Sequence, residues 1–110
     1  MNSLNIRSIP AFEKVSDNSI ALIKREAEFL SYKMGAPLLN KDFIPNQVLI
    51  ILNGKARLLH KENDIKLSSI SILGQDNFIG IASILSANPC ELVSASSDII
   101  AMKLSDNLIL

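Results

Sequence analysis

The run Val48-Leu49-Ile50-Ile51-Leu52, followed at once by Asn53-Gly54, does most to limit what this chain can become. Its shortness and β-branching suit a strand. Asn and Gly both tolerate positive φ, so the pair predicts a hairpin turn, with Lys55-Ala56-Arg57-Leu58-Leu59-His60 as the partner strand. Lys61-Glu62-Asn63-Asp64 then reads as a polar turn, and Ile65, Leu67, Ile70 and Ile72 mark a further strand. Gly74-Gln75-Asp76-Asn77 turns the chain into Phe78-Ile79. Residues 91–96, the turn Ser97-Asp98, and Ile99-Ile100-Ala101-Met102-Lys103-Leu104 complete the series. Short strands at intervals of about ten residues predict a mainly β fold, a double-stranded β-helix or jelly-roll barrel.

The N-terminal third has a different period. Ile9-Pro10-Ala11-Phe12 reads as an extended lead-in, and Ser16-Asp17-Asn18-Ser19 offers capping side chains. Ile20, Ile23, Ala27 and Leu30, flanked by Leu22 and Phe29, have helical spacing, which predicts a helix over 17–30. Asp17, Glu26 and Glu28 fall on its solvated side, and Gly35 and Pro37 close the region. A second helix is predicted to begin at Ser105-Asp106.

Composition bounds the function classes. The 110 residues are expected to form a single domain, 1–110, burying roughly two-thirds of the surface that the unfolded chain exposes. Apolar residues make up 48%, too many for disorder, while aromatics are only 5%, so Ile and Leu must fill the core. Eleven basic residues balance eleven acidic ones, which argues against a direct nucleic-acid interface. One cysteine excludes an internal disulfide and a cysteine-rich zinc site. No stretch of 18 uninterrupted apolar residues is present, so direct membrane insertion is not expected, and the start lacks a signal-peptide pattern. The apolar end Asn107-Leu108-Ile109-Leu110 reads as a cut through a longer protein, of which this would be an N-terminal fragment.

The segment Phe78-Ile79-Gly80-Ile81-Ala82-Ser83-Ile84-Leu85, with Asn88-Pro89-Cys90-Glu91-Leu92-Val93-Ser94-Ala95, has the outline of a cassette: strand, glycine turn, short helix, return strand. Together with Val48-Leu49-Ile50-Ile51 and Gly54, Leu73-Gly74-Gln75-Asp76-Asn77-Phe78-Ile79-Gly80, and the strands at Val93-Ser94-Ala95 and Ile99-Ile100-Ala101-Met102, it resembles the cyclic nucleotide-binding domain family over roughly residues 10 to 105. The resemblance implies a phosphate-binding cassette at Gly80, Ile81, Ala82, Ser83, Cys90, Glu91 and Ser94. In members of that family that bind cyclic AMP or cyclic GMP, a glutamate after the cassette glycine accepts the ribose 2′-hydroxyl. Here that residue is Ile81. An arginine that pairs with the phosphate falls at Pro89 or Cys90, and neither can neutralise an anion. No Lys or Arg lies between Lys66 and Lys103 to replace it. Losing one charge-assisted pair costs on the order of 1.5–3 kcal/mol, about tenfold or more in affinity, and Glu91 adds repulsion. Helix-opening amides and the hydroxyls of Ser83 and Ser94 are what remain to attract an anion.

Gly80-Ile81-Ala82-Ser83-Ile84-Leu85, Pro89-Cys90-Glu91 and the tail Leu104-Ser105-Asp106-Asn107-Leu108-Ile109-Leu110 also resemble the N-terminal domain of cyanobacterial ABC exporters of the toxin or peptide secretion class. That resemblance implies a cytoplasmic, non-catalytic regulatory or interaction domain on an inner-membrane, ATP-binding transporter. Its partners would be the rest of the parent polypeptide, with a small-molecule ligand as a further possibility. The competing expectation is a true cyclic-nucleotide or small-ligand sensor feeding a catabolite-activator-type transcription regulator. No catalytic residue, metal site or cofactor is expected. Cys90 reads as a small core residue rather than a redox sensor, and His60 as a solvated side chain rather than a ligand. Glu91 and Asp98 read as surface groups rather than an acid–base pair, and Met34 and Met102 as packing in apolar strands.

Overall fold

In the computed structural model, residues 8–39, 45–61, 67–87 and 92–105 are described. They form two four-stranded antiparallel sheets and a few short helices, the jelly-roll architecture expected. The strands are β1 (Glu28–Tyr32), β2 (Pro37–Leu39), β3 (Gln47–Asn53), β4 (Ala56–Lys61), β5 (Leu67–Leu73), β6 (Phe78–Ile79), β7 (Leu92–Ala95) and β8 (Ile99–Ser105). The first sheet has the order β1-β8-β3-β6 and the second β2-β7-β4-β5. Apart from β4 and β5, every consecutive pair of strands is split between the sheets.

That splitting corrects the hairpin expected at Asn53-Gly54. β3 and β4 do not pair: β3 pairs with β8 and β6, and β4 with β5 and β7. Gly54 does take positive φ, +101°. However, it serves a corner at which the chain leaves one sheet for the other. The partners of β3 lie tens of residues downstream, where local turn chemistry cannot point.

The helical layer explains why β3 reads as a continuous apolar run. Val48 and Ile50 face a cluster containing Ile9, Phe12, Ile20, Ile23, Ile84, Met102 and Leu104. Leu49 and Ile51 face the other way, among Ala56, Ile79, Val93, Ala95, Ile99 and Ala101 between the sheets. A strand buried on both faces carries apolar residues at every position.

Helix α1 (Asp17–Glu26) starts as the capping residues predict, with the Ser19 N–H donating to Ser16 Oγ at 3.2 Å. It ends four residues earlier than the spacing predicts. Ala27 is already extended, its N–H closing on the Ile23 carbonyl at 2.9 Å. Glu28, Phe29 and Leu30 therefore belong to β1, opposite Lys103, Met102 and Ala101. Pairing with β8 outweighs the helical spacing of Leu30. Glu28 is thus a strand residue, not part of the helix face, and its carboxylate lies 3.3 Å from Lys103 Nζ. Pro10–Phe12 forms a 3-10 turn, not an extended segment, because Pro10 pre-sets the helical φ at the first position. Met102 is fully buried, but Met34 is 70% exposed in the turn after β1, so only one of the two methionines packs. Ser105 ends β8, and the helix expected beyond it lies outside the described residues.

Candidate functional site

The cassette is positioned by backbone stitching onto β3. In the turn before it, the Gly74 N–H donates to Asn77 Oδ1 at 2.7 Å and the Asn77 N–H to the Gly74 carbonyl at 3.0 Å. The Asp76 N–H donates to the Ile51 carbonyl at 2.8 Å, and the Ile51 N–H to the Asn77 carbonyl at 3.0 Å. β6 is thereby laid beside β3, with Ile79 opposite Leu49 and Phe78 opposite Ile50.

Gly80 follows with φ +100°. A Cβ there would come to 3.2 Å from the Gln47 carbonyl oxygen, so glycine answers both the conformation and the close approach. Its carbonyl accepts the Ile84 N–H at 3.1 Å and opens α2 (Ile81–Ser86). Six residues do not make a stable helix alone, so packing sets the placement of α2. Ile84 belongs to the helix-side cluster, and Ile81 and Phe78 pack against it. Ser83 is fully buried and Leu85 is 65% exposed, so α2 presents one face inward and one to solvent.

Among the described residues, those singled out in sequence do not converge. Ile81 packs toward the helical layer. Ser83 has no exposed surface. Ser94 alternates with buried Val93 and Ala95, which turns it to the outer face of the second sheet, with Pro37 and Arg57 as cross-strand neighbours. Ala82 lies in α2. Pro89, Cys90 and Glu91 lie outside the described residues. A cleft of about 330 Å³ opens beside the cassette, lined by Leu38, Leu39, Pro45, Gln47, Leu49 and Ile79 among others, but not by Gly80, Ile81, Ser83 or Ser94.

Sheet register reveals a cation that the linear sequence hides. Glu28, Lys103, Leu49 and Ile79 form one cross-strand row of the first sheet. Lys103 thus stands two strands from the residue preceding Gly80. Its side chain is only 22% exposed, and Glu28 holds its ammonium. Only the pairing of β8 with β3 brings it there.

A second cleft, of about 360 Å³, lies where Lys33, Asn53 and Asp98 meet. There the Asp98 carboxylate accepts the Met34 N–H at 2.9 Å and lies 3.9 Å from Lys33 Nζ, so it braces one turn against another. No group of three or more potential metal ligands occurs among the described residues. No helix of the described residues is long and apolar enough to cross a membrane.

No protein-family model matches the chain, and no curated protein matches its sequence. Its fold is nevertheless shared with solved structures. The regulatory subunit of a cAMP-independent protein kinase A from Trypanosoma brucei superposes with a TM-score of 0.81 at 15% identity, covering 91% of this chain and 37% of that one. A cyclic nucleotide-binding-like protein from Brucella abortus gives 0.77 at 21% identity, covering 94% and 92%. The catabolite activator protein of Thermus thermophilus gives 0.74 at 18% identity, covering 91% and 47%. The chain therefore spans little more than a third of the trypanosome subunit. What these neighbours share with it is the jelly-roll fold of cyclic nucleotide-binding domains.

Proposed function

We propose that this is a non-catalytic regulatory or interaction domain whose cassette has lost the chemistry for conventional cyclic-nucleotide binding. The observation that carries this reading is Ile81. It stands at the ribose-acceptor position of the family pattern and packs against the apolar cluster of the helical layer. Arg57 is exposed on the outer face of the second sheet, and Lys103 is engaged by Glu28, so neither replaces the missing arginine. The trypanosome subunit is named as cAMP-independent. A variant of it with three substitutions, one of them threonine to arginine, is bound to cAMP in its A site, and the Trypanosoma cruzi counterpart is bound to guanosine.

Thermal denaturation with cyclic AMP, cyclic GMP and guanosine tests the reading. No saturable shift is expected with either cyclic nucleotide. A rise of several degrees at micromolar cyclic nucleotide overturns it.

The parent protein is, on this proposal, an ABC exporter of the toxin or peptide secretion class, with this domain on its cytoplasmic side contacting the transporter. The support is the resemblance carried by Gly80-Ile81-Ala82-Ser83-Ile84-Leu85, Pro89-Cys90-Glu91 and the apolar tail. A second reading, the sensor domain of a transcription regulator, is favoured by the fold shared with the Thermus activator and with the N-terminal domain of a Streptomyces coelicolor transcriptional regulator. The coding sequence after Leu110 separates the two. Membrane spans and a Walker A loop support the exporter, and a helix-turn-helix overturns it.

A further inference from the structure

We propose that Ile81, with Ile84 and Phe78, locks the cassette onto the N-terminal helical layer, so that the two move as one body without any ligand. The proposal rests on the reading that the cassette holds no cyclic nucleotide, and it assigns a positive role to the residue that carries that reading.

Apolar packing ties α2 to the N-terminal helical layer. On its N-terminal side the chain is tied to β3 through the two residues of β6 and the close approach at Gly80. The helix is too short to persist by itself. Its inward face helps to hold it, and that face meets the helical layer. Ile84 is in the same buried cluster as Ile9, Phe12, Ile20 and Ile23, and Ile81 lies one turn away on the packed side. Phe78 meets Phe12 edge-to-face, with ring centroids 6.2 Å apart and planes at 68°. The 3-10 turn, α1 and the cassette thus share one apolar core on the outer side of the first sheet.

A glutamate at position 81 would put a carboxylate against this apolar cluster, which is unfavourable without a polar ligand to turn toward. Isoleucine removes that cost and substitutes permanent apolar contact. Displacement of the helical layer, for example by a partner seated on α1, would then drag the cassette with it, and the reverse holds by reciprocity.

Hydrogen exchange on the complete chain tests the lock. Ile81→Ala is expected to speed amide exchange roughly tenfold in both 78–87 and 9–26, while 99–105 keeps its protection. Phe12→Leu, made from the other side of the contact, should speed exchange in 78–87 as well. Leu85→Ala, on the solvent face of α2, should leave both segments unchanged. An Ile81→Ala effect confined to 78–87, no effect at all, or a Phe12→Leu effect confined to 9–26 overturns the lock. The two proposals fail separately. Cyclic-nucleotide binding by the unaltered chain overturns the function above, whereas the exchange pattern alone decides the lock.

Discussion

Gly54 shows how one residue can serve a purpose other than the one its neighbours advertise. Beside Asn53 it reads as half of a hairpin turn, yet its geometry answers to a crossing of chains. A Cβ at Gly54 would overlap the backbone carbonyl oxygen of Asp98 and reach 3.0 Å from the Ile99 Cα. Backbone cannot swing aside as a side-chain tip can, and φ is +101° as well. Gly54→Ala is therefore expected to cost on the order of 3 kcal/mol, read as a lower urea midpoint with unchanged slope. Ser16 is a milder case. Its hydroxyl satisfies one otherwise unpaired amide at the start of α1, so Ser16→Ala should cost about 1 kcal/mol in the same assay.

At the scale of elements, periodicity carries the information, and β3 and β5 make the contrast. Val48, Ile50 and Ile51 are wholly buried and Leu49 nearly so, on two opposite faces. Ile50→Thr and Ile51→Thr should each destabilise the fold by about 2 kcal/mol or more, because each buries a hydroxyl in apolar surroundings on its own side. On β5, Ile72 is 53% exposed, so Ile72→Thr should stay within about 0.5 kcal/mol. Equilibrium unfolding of the three variants checks this, and a tolerant Ile50 or Ile51 would refute the double burial. The run at 48–52, the capping residues at 16–19 and the glycine of the cassette were legible in the sequence because each is a local signal. The end of α1 was not, since Ala27, Phe29 and Leu30 keep helical spacing and only the distant strand β8 recruits them. The same limit applied at the site. Gly80 and the short helix after it stand where the sequence reading puts them. However, the direction of Ser94 depends on which strands flank β7, and the approach of Lys103 depends on the register of β8 with β3.

For the whole molecule, the decisive feature is unequal cover. The first sheet is shielded on its outer side by α1, the 3-10 turn and α2, whereas no helix among the described residues packs on the outer side of the second. Edge strands are treated just as unevenly. β6 has two residues, β2 has three and opens on Pro37, and β1 begins at Glu28, all features that discourage pairing with another chain. β5 has seven residues without a charge or proline, and it exposes Ile70 and Ile72 at 61% and 53%. A register shift between Leu58 and Leu59 places an extra residue, Ile70, in β5, and the resulting bulge is the strand's main protection against edge pairing. Net charge is zero, so no long-range repulsion adds to it. Ile72→Lys puts a charge on this strand, beside Arg57 across β4 but out in solvent where screening keeps the repulsion small. The variant should stay monodisperse to several-fold higher concentration by light scattering, with a melting temperature within a few degrees of the parent. If its scattering instead rises at the same concentration as the parent's, β5 is not the association-prone edge, and the bulge at Ile70 is sufficient protection by itself.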